Sequence, residues 1–251
     1  VLILLPPSET KRAGGAGRPL DLDRLALPAL APQRAAVVDA LIALSSDPDA
    51  AARVLKLSER QRGDIAANAA LRTAPTLPAA DRYTGVLYDA LDAGSLDASA
   101  RRWLGAHVLI HAAAFGPVGA LDPLPAYRLA AGTSLPGLPP LRRVWADAVG
   151  AALRATHARF VLDLRSEAYT ALGPVPVDLP QAYVRVVSEG PDGATRALNH
   201  FNKHAKGALV RALAQSRPRV GSAAGLRRWA DAHGWQLRVG GPGELDLVVT
   251  A

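Results

Sequence analysis

Apolar and polar positions along this chain fall into two registers. Short apolar runs at Val1–Leu5, His107–Ala112, Arg159–Leu164 and Ala182–Ser188 have the length of buried strands. Between them apolar residues recur every three or four positions, which predicts helices over Gln33–Leu44, Ala50–Leu55, Pro139–Thr156, Asn202–Gln215 and Ala223–His233. Ser58 and Gln61 form a capping box that starts a further helix to about Leu71. Trp235–Val239 and Glu244–Val249, joined through Gly240-Gly241-Pro242-Gly243, predict a hairpin. Strands alternating with helices indicate an α/β fold, with α+β as the alternative, built on a mixed central sheet flanked by helices. The expected organisation is one domain over 1–251, with a helical segment at about 33–72 and a basic quarter at 195–251.

Composition narrows the function classes. Of 251 residues, 49% are apolar, ample for a core, yet no run approaches the roughly 18 to 20 uncharged apolar residues of a membrane span. The apolar start is cut off by Pro6-Pro7, so it is expected to be a strand rather than a signal sequence. No cysteine is present, which leaves no disulfide and no thiolate metal site and fits a cytoplasmic protein without a membrane partner. The net charge of +7 is uneven. Residues 195–251 hold nine Arg or Lys against three Asp or Glu, whereas residues 1–194 hold 20 against 19. Such a field attracts phosphate, on DNA or on a nucleotide-like anion.

Lysine is scarce where arginine is plentiful: four lysines stand among 29 basic residues. Three of them lie in two polar motifs, Ser8-Glu9-Thr10-Lys11 and His200-Phe201-Asn202-Lys203-His204-Ala205-Lys206-Gly207. An ammonium is a compact charge that can lose its proton, and a guanidinium effectively cannot, so these positions are candidates for chemistry. A third polar motif, Asp163-Leu164-Arg165-Ser166-Glu167-Ala168-Tyr169, closes the third predicted strand. If the strands run parallel, all three motifs meet at the carboxyl edge of the sheet, where α/β folds hold ligands. There Lys203 and Lys206 would reinforce a helix N-terminus already favourable to anions. Other patterns predict less. The glycines of Gly14–Gly17 have neither Walker nor dinucleotide-binding spacing and predict a flexible flap, and no cofactor is predicted. The junction at Lys56-Leu57 looks like a helix-hairpin-helix but lacks its glycines. His107 and His111 on one strand would stand about 13 Å apart, too far to share a metal. No metal site is expected.

These residues resemble the YaaA group, the peroxide stress or DUF328/UPF0246 family, nearly end to end. The resemblance rests on Leu4-Leu5-Pro6-Pro7-Ser8-Glu9-Thr10-Lys11-Arg12, Tyr83-Thr84-Gly85-Val86-Leu87-Tyr88-Asp89-Ala90-Leu91, Leu121-Asp122 with Pro125-Ala126-Tyr127-Arg128-Leu129, and the two motifs containing Asp163 and Lys203. It implies a cytosolic α/β protein with a basic cleft, linked to oxidative stress, limitation of free iron and DNA binding. One segment departs from the family pattern. Where the family reads Ser-Gly-Leu-(Tyr or Trp)-Gly and then Arg-Pro, this chain has Ala112-Ala113-Ala114-Phe115-Gly116 and then Gly119-Ala120. If those groups touch the ligand in relatives, part of the site is changed here.

Two functions follow as expectations. In the first, the protein binds DNA or another phosphate-bearing ligand: Arg211, Arg217, Arg219, Arg227 and Arg228 track DNA phosphates, and Ser8, Arg128, Ser166, Tyr169, Asn202, Lys203 and Lys206 line the cleft. In the second, it is an enzyme acting on a nucleotide, a nucleoside or a damaged base. Lys11 is then closest to the chemistry, Glu9 is its partner or general base, and Asp163 assists. A plainer reading has Glu9-Lys11 and Asp163-Arg165 tying loops together by ion pairs. The oligomeric state is not legible.

Overall fold

Strands with no polar face must be covered on both sides, and this chain builds its sheet around three of them. The computed structural model describes residues 1–189, 195–197 and 199–249. Its strands are β1 (Leu2–Leu5), β2 (Leu77–Pro78), β3 (Val108–Ala112), β4 (Gly116–Gly119), β5 (Pro123–Leu124), β6 (Val161–Asp163), β7 (Gln181–Glu189), β8 (Thr195–Ala197), β9 (Gln236–Val239) and β10 (Glu244–Val249). Eight form one sheet in the order β4-β3-β1-β6-β7-β10-β9, with β8 also paired to β7; β2 and β5 make a separate ribbon. The run β3-β1-β6-β7-β10 is parallel, and β4 and β9 are antiparallel at the edges. Ile3, Leu4, Leu5, Ile110 and Leu162 are fully buried at its centre.

The helices are α1 (Ala31–Leu44), α2 (Pro48–Val54), α3 (Gly63–Ala69), α4 (Ala79–Arg82), α5 (Val86–Leu91), α6 (Ala98–His107), α7 (Leu141–Ala155), α8 (Glu167–Leu172), α9 (Asn199–Ser216) and α10 (Ala223–Ala232). No helix among the described residues is long and apolar enough to cross a membrane. Helix starts follow local chemistry. Asp47, Asp97 and Ser222 each accept hydrogen bonds from the first free amides of α2, α6 and α10. The expected mixed sheet flanked by helices is present, so the fold is α/β.

The sequence reading missed several local features. His107 ends α6 rather than starting a strand, because the Asp97 cap launches a helix through Trp103 and Leu104 and only Val108 turns the chain extended. The capping box of Ser58 and Gln61 is present, but it caps a 3₁₀ turn, Glu59–Gln61, and the α-helix restarts at Gly63. A 3₁₀ turn therefore stands between α2 and α3, and the junction is not a helical hairpin. Edge strand β4 was not foreseen. Its Gly-Pro-Val-Gly is held by buried Arg34, which donates to the carbonyls of Phe115 and Pro117 at 2.9 and 2.8 Å and to that of Ala26 at 2.6 Å.

One close approach sets the position of α9. A Cβ built at Gly207 would stand 2.0 Å from the carbonyl oxygen of Leu87 on α5. Alanine in a helix interior gains about 1 kcal/mol over glycine in propensity, but a backbone carbonyl cannot rotate away as a side chain does. The clash should win. Gly207→Ala is expected to destabilise the protein by about 2 to 4 kcal/mol in urea unfolding followed by circular dichroism; a gain in stability would refute the close packing.

Candidate functional site

Because β1, β6 and β7 are parallel, the segments leaving β1 and β6 emerge at one sheet edge, and α9 crosses the same edge. They enclose a cavity of about 760 Å³, lined by Pro6–Thr10, Thr84–Tyr88, Leu164, Ser166–Tyr169, Tyr183, Asn202, Lys203 and Lys206. Residues of all three polar motifs therefore share one hollow. Of the residues singled out from sequence, Ser8, Glu9, Ser166, Tyr169, Asn202, Lys203 and Lys206 line it; Lys11, Asp163 and Arg128 do not. The side chains of His200 and Phe201 lie outside the described residues.

Lys203 and Lys206 stand one turn apart on α9 in different surroundings. Lys203 is exposed at the rim. Lys206 is only 4% exposed, and its ammonium lies 5.5 Å from the centre of the Tyr183 ring. Among the described residues it meets no hydrogen-bond acceptor and no ion-pair partner. Burial pulls its pKa down to about 8, opposed by the negative charge of Asp163.

Lys11, the residue expected nearest the chemistry, turns behind the cavity wall. Its ammonium donates to the carbonyls of Ser8 at 3.0 Å and Glu9 at 3.4 Å, and lies 4.2 Å from the Tyr127 ring centre and 5.5 Å from that of Tyr83. Burial lowers its pKa to about 8, while Glu9 opposes and Arg128 assists the fall. Lys11 thus closes its own loop onto a tyrosine pair whose hydroxyls share a hydrogen bond at 2.8 Å. Glu9 pairs with Arg128 at 3.7 Å, and Arg128 also donates to the Glu9 carbonyl. Arg128 is tied up there and not presented to the cavity.

Asp163 is likewise engaged. Both of its oxygens accept from Arg165, at 2.9 and 2.6 Å, and Arg165 is completely buried. Arg165 also donates to the Gly173 carbonyl at 2.8 Å and lies 2.7 Å from Nδ1 of His111. Burial first, then the adjacent guanidinium, holds His111 well below its ordinary pKa, so it stays neutral and accepts at Nδ1. The pair braces the turn from β6 into α8 from behind. His107 instead places Nδ1 2.8 Å from the Val1 carbonyl, so the two histidines serve separate contacts. Among the described residues no cluster of three metal-ligating side chains is present.

Opposite α9, the wall is polar. Ser8 Oγ and Thr10 Oγ1 share a hydrogen bond at 3.2 Å, Thr10 also bonds to the Thr84 carbonyl, and Thr84 Oγ1 donates to Thr10. Gly85, at φ 95°, lets the backbone pass these hydroxyls. Two carboxylates, Glu9 and Glu167, share the lining with two lysines, so its formal charge is balanced. Tyr183 and the Thr84–Tyr88 segment were not singled out as site residues. An aromatic side chain interrupting the aliphatic run Ala182–Val187 was the available signal for Tyr183.

The arginines expected to track DNA lie elsewhere. The amino group of Val1 donates to the Val220 carbonyl at 2.9 Å, which puts Arg217 and Arg219 near the amino edge of the sheet. Arg227 lines a smaller hollow with Gln181 and Glu244, the first residues of β7 and β10, and its Nε donates to the Leu237 carbonyl. Arg211 is held by the carbonyls of Leu91 and Asp92, Arg217 stands 3.9 Å from Asp97, and Arg228 is exposed on α10. The segment that departs from the family pattern is also remote: Ala112–Phe115, Val118 and Ala120 are buried, and none lines the main cavity.

A buried, unpaired ammonium weakens the fold, and the sign of its pH dependence follows from its shift. The folded pKa of about 8 lies below the ordinary 10.5. The penalty is therefore complete below pH 8 and is relieved as pH rises toward 10.5. Lys206→Met is expected to be about 2 kcal/mol more stable than the parent at pH 7, with the advantage shrinking by pH 10. Urea unfolding at both pH values checks this, and a variant less stable at pH 7 would show that the ammonium has a partner.

Comparison with known proteins points to one family. A family model described as "Peroxide stress protein YaaA" matches residues 1–239. A UPF0246 protein of Corynebacterium efficiens is 47% identical over 229 residues, covering 90% of this chain and 89% of the relative. A UPF0246 protein of Corynebacterium glutamicum is 43% identical over 238 residues, covering 93% of each, and one of Streptomyces coelicolor is 43% identical over 217 residues, covering 85% and 82%. With its cavity motifs and every strand of its sheet except β10 inside the matched span, the chain belongs to the YaaA peroxide stress family.

Proposed function

We propose that this protein serves the peroxide stress response in the cytoplasm by holding a phosphate-bearing ligand of nucleotide size in the cavity at the carboxyl edge of its sheet. The observation that carries this reading is the second turn of α9, where the buried Lys206 faces the cavity with no acceptor among the described residues. An ammonium left without a hydrogen-bond acceptor calls for an anion. Lys203 at the rim supplies the first contact for the phosphate. The hydroxyls of Ser8, Thr10 and Thr84, with Asn202, offer partners for sugar and base polar groups.

The cavity volume suits one nucleotide, free or presented by a DNA strand, rather than a duplex. A second reading, DNA held along its backbone, is favoured by the exposure of Arg219 and Arg228. Salt separates the two. Binding of AMP and of a single-stranded oligonucleotide, followed by calorimetry, is expected to weaken about tenfold in Lys203→Ala. The logarithm of oligonucleotide affinity against that of salt should fall with a slope of about −1 to −2. A slope of about −4 or steeper would assign the DNA contact to the arginines instead, and no binding of either ligand at low salt would overturn the proposal.

A further inference from the structure

Four lysines with four different environments allow the cavity amine to be identified by elimination. Lys56 is exposed on a left-handed turn at φ 54°, away from the cavity. Lys11 donates to two carbonyls behind the wall. Lys203 is open to water at the rim. Lys206 alone combines a place in the lining, near-complete burial and the absence of a hydrogen-bond acceptor among the described residues. A methionine there would fill similar space without a desolvated charge. The amine is therefore retained at a cost in stability, as functional groups are.

We infer that Lys206 forms an imine with the aldehyde of a phosphorylated ligand, with the phosphate anchored one helical turn away by Lys203. This rests on the phosphate-binding reading above and adds a covalent step to it. In that step the neutral amine attacks the carbonyl carbon, the new C–N bond forms, and the carbonyl oxygen takes a proton from nitrogen. The resulting carbinolamine expels its oxygen as water, carrying the second amine proton, and leaves a carbon–nitrogen double bond. No oxidant or reductant is consumed.

Three features of the cavity suit this chemistry. Burial already favours the neutral amine, since the pKa of Lys206 is pulled down to about 8. The Tyr183 ring, 5.5 Å from the nitrogen, stabilises the cationic protonated imine through its face. Asp163, the nearest negative influence, is occupied by both arms of Arg165, so its charge supports the cation without drawing the amine into a fixed ion pair. The ligand class is a phosphorylated aldehyde, either a free sugar phosphate or the ring-opened sugar of a base-free nucleotide in DNA.

The test uses the full chain, with erythrose 4-phosphate as one probe and an oligonucleotide containing one abasic site as the other, each reduced with sodium borohydride at pH 8. Four lysines make assignment by peptide mass spectrometry unambiguous. The expected result is one adduct, on Lys206, with at least one probe. It should be lost in Lys206→Arg, unchanged in Lys56→Arg, and formed about tenfold less with unphosphorylated erythrose. The probe that labels identifies the source of the aldehyde. Adducts spread over Lys56 and Lys203, or an adduct that survives Lys206→Arg, would overturn the inference. AMP binding with no adduct from either probe would overturn the imine and leave the phosphate reading standing; loss of AMP binding as well would overturn both.

Discussion

The contact between α9 and α5 at Gly207 governs the rest of the site. Helices usually pack with axes 8 to 10 Å apart because side chains hold them off, but here a bare Cα meets the Leu87 carbonyl. That approach draws Lys206 under the helix and buries most of its side chain against Tyr183. It also fixes the cavity floor, because Thr84–Tyr88 leads into and forms the first turn of α5. The glycine that ends the lysine motif is thus a packing requirement rather than a catalytic one.

Charge within the site is divided by depth. Lys203 meets solvent at the mouth, Lys206 lies beneath it, Glu9 of the lining is paired with Arg128 behind it, and the Asp163–Arg165 pair stands behind the wall. The buried Asp163–Arg165 pair contributes little net stability, since desolvation offsets its attraction, and the half-exposed Glu9–Arg128 pair is weakened by solvent. Their effect is to immobilise two loops. Arg165 holds Asp163, His111 and the Gly173 carbonyl together, and Lys11 locks the Ser8–Lys11 loop onto Tyr83 and Tyr127. A polar cavity results, whose one buried cation has no acceptor among the described residues.

The basic quarter of the chain does not form one basic face. Its lysines sit at the carboxyl edge of the sheet, while Arg217, Arg219 and Arg227 sit toward the amino edge, because α9 runs from one edge to the other. Summed along the sequence, these charges look like a footprint for nucleic acid. In space they separate into a small mixed-charge cavity and a scatter of surface arginines, several of them bound to nearby carbonyls or carboxylates.

Sequence alone indicated the class of fold and the family, and it predicted that three motifs meet at one sheet edge provided the strands run parallel, which they do. Apolar runs and helical periods are local signals, and parallel strands with right-handed crossovers leave few ways to assemble them. It placed β1, β6, β7, α7, α9, α10 and the terminal hairpin within a few residues. It misjudged the stretch around His107 because an apolar run does not disclose where a helix hands over to a strand. Tertiary structure alone decided that Lys206 rather than Lys11 lines the cavity. Lys11 and Lys206 carry the same group in equally polar motifs; one ammonium finds two carbonyls and an aromatic pair, and the other finds a single ring and, among the described residues, no acceptor. Burial and partnership arise from segments distant in the chain, so the spacing of residues does not encode them.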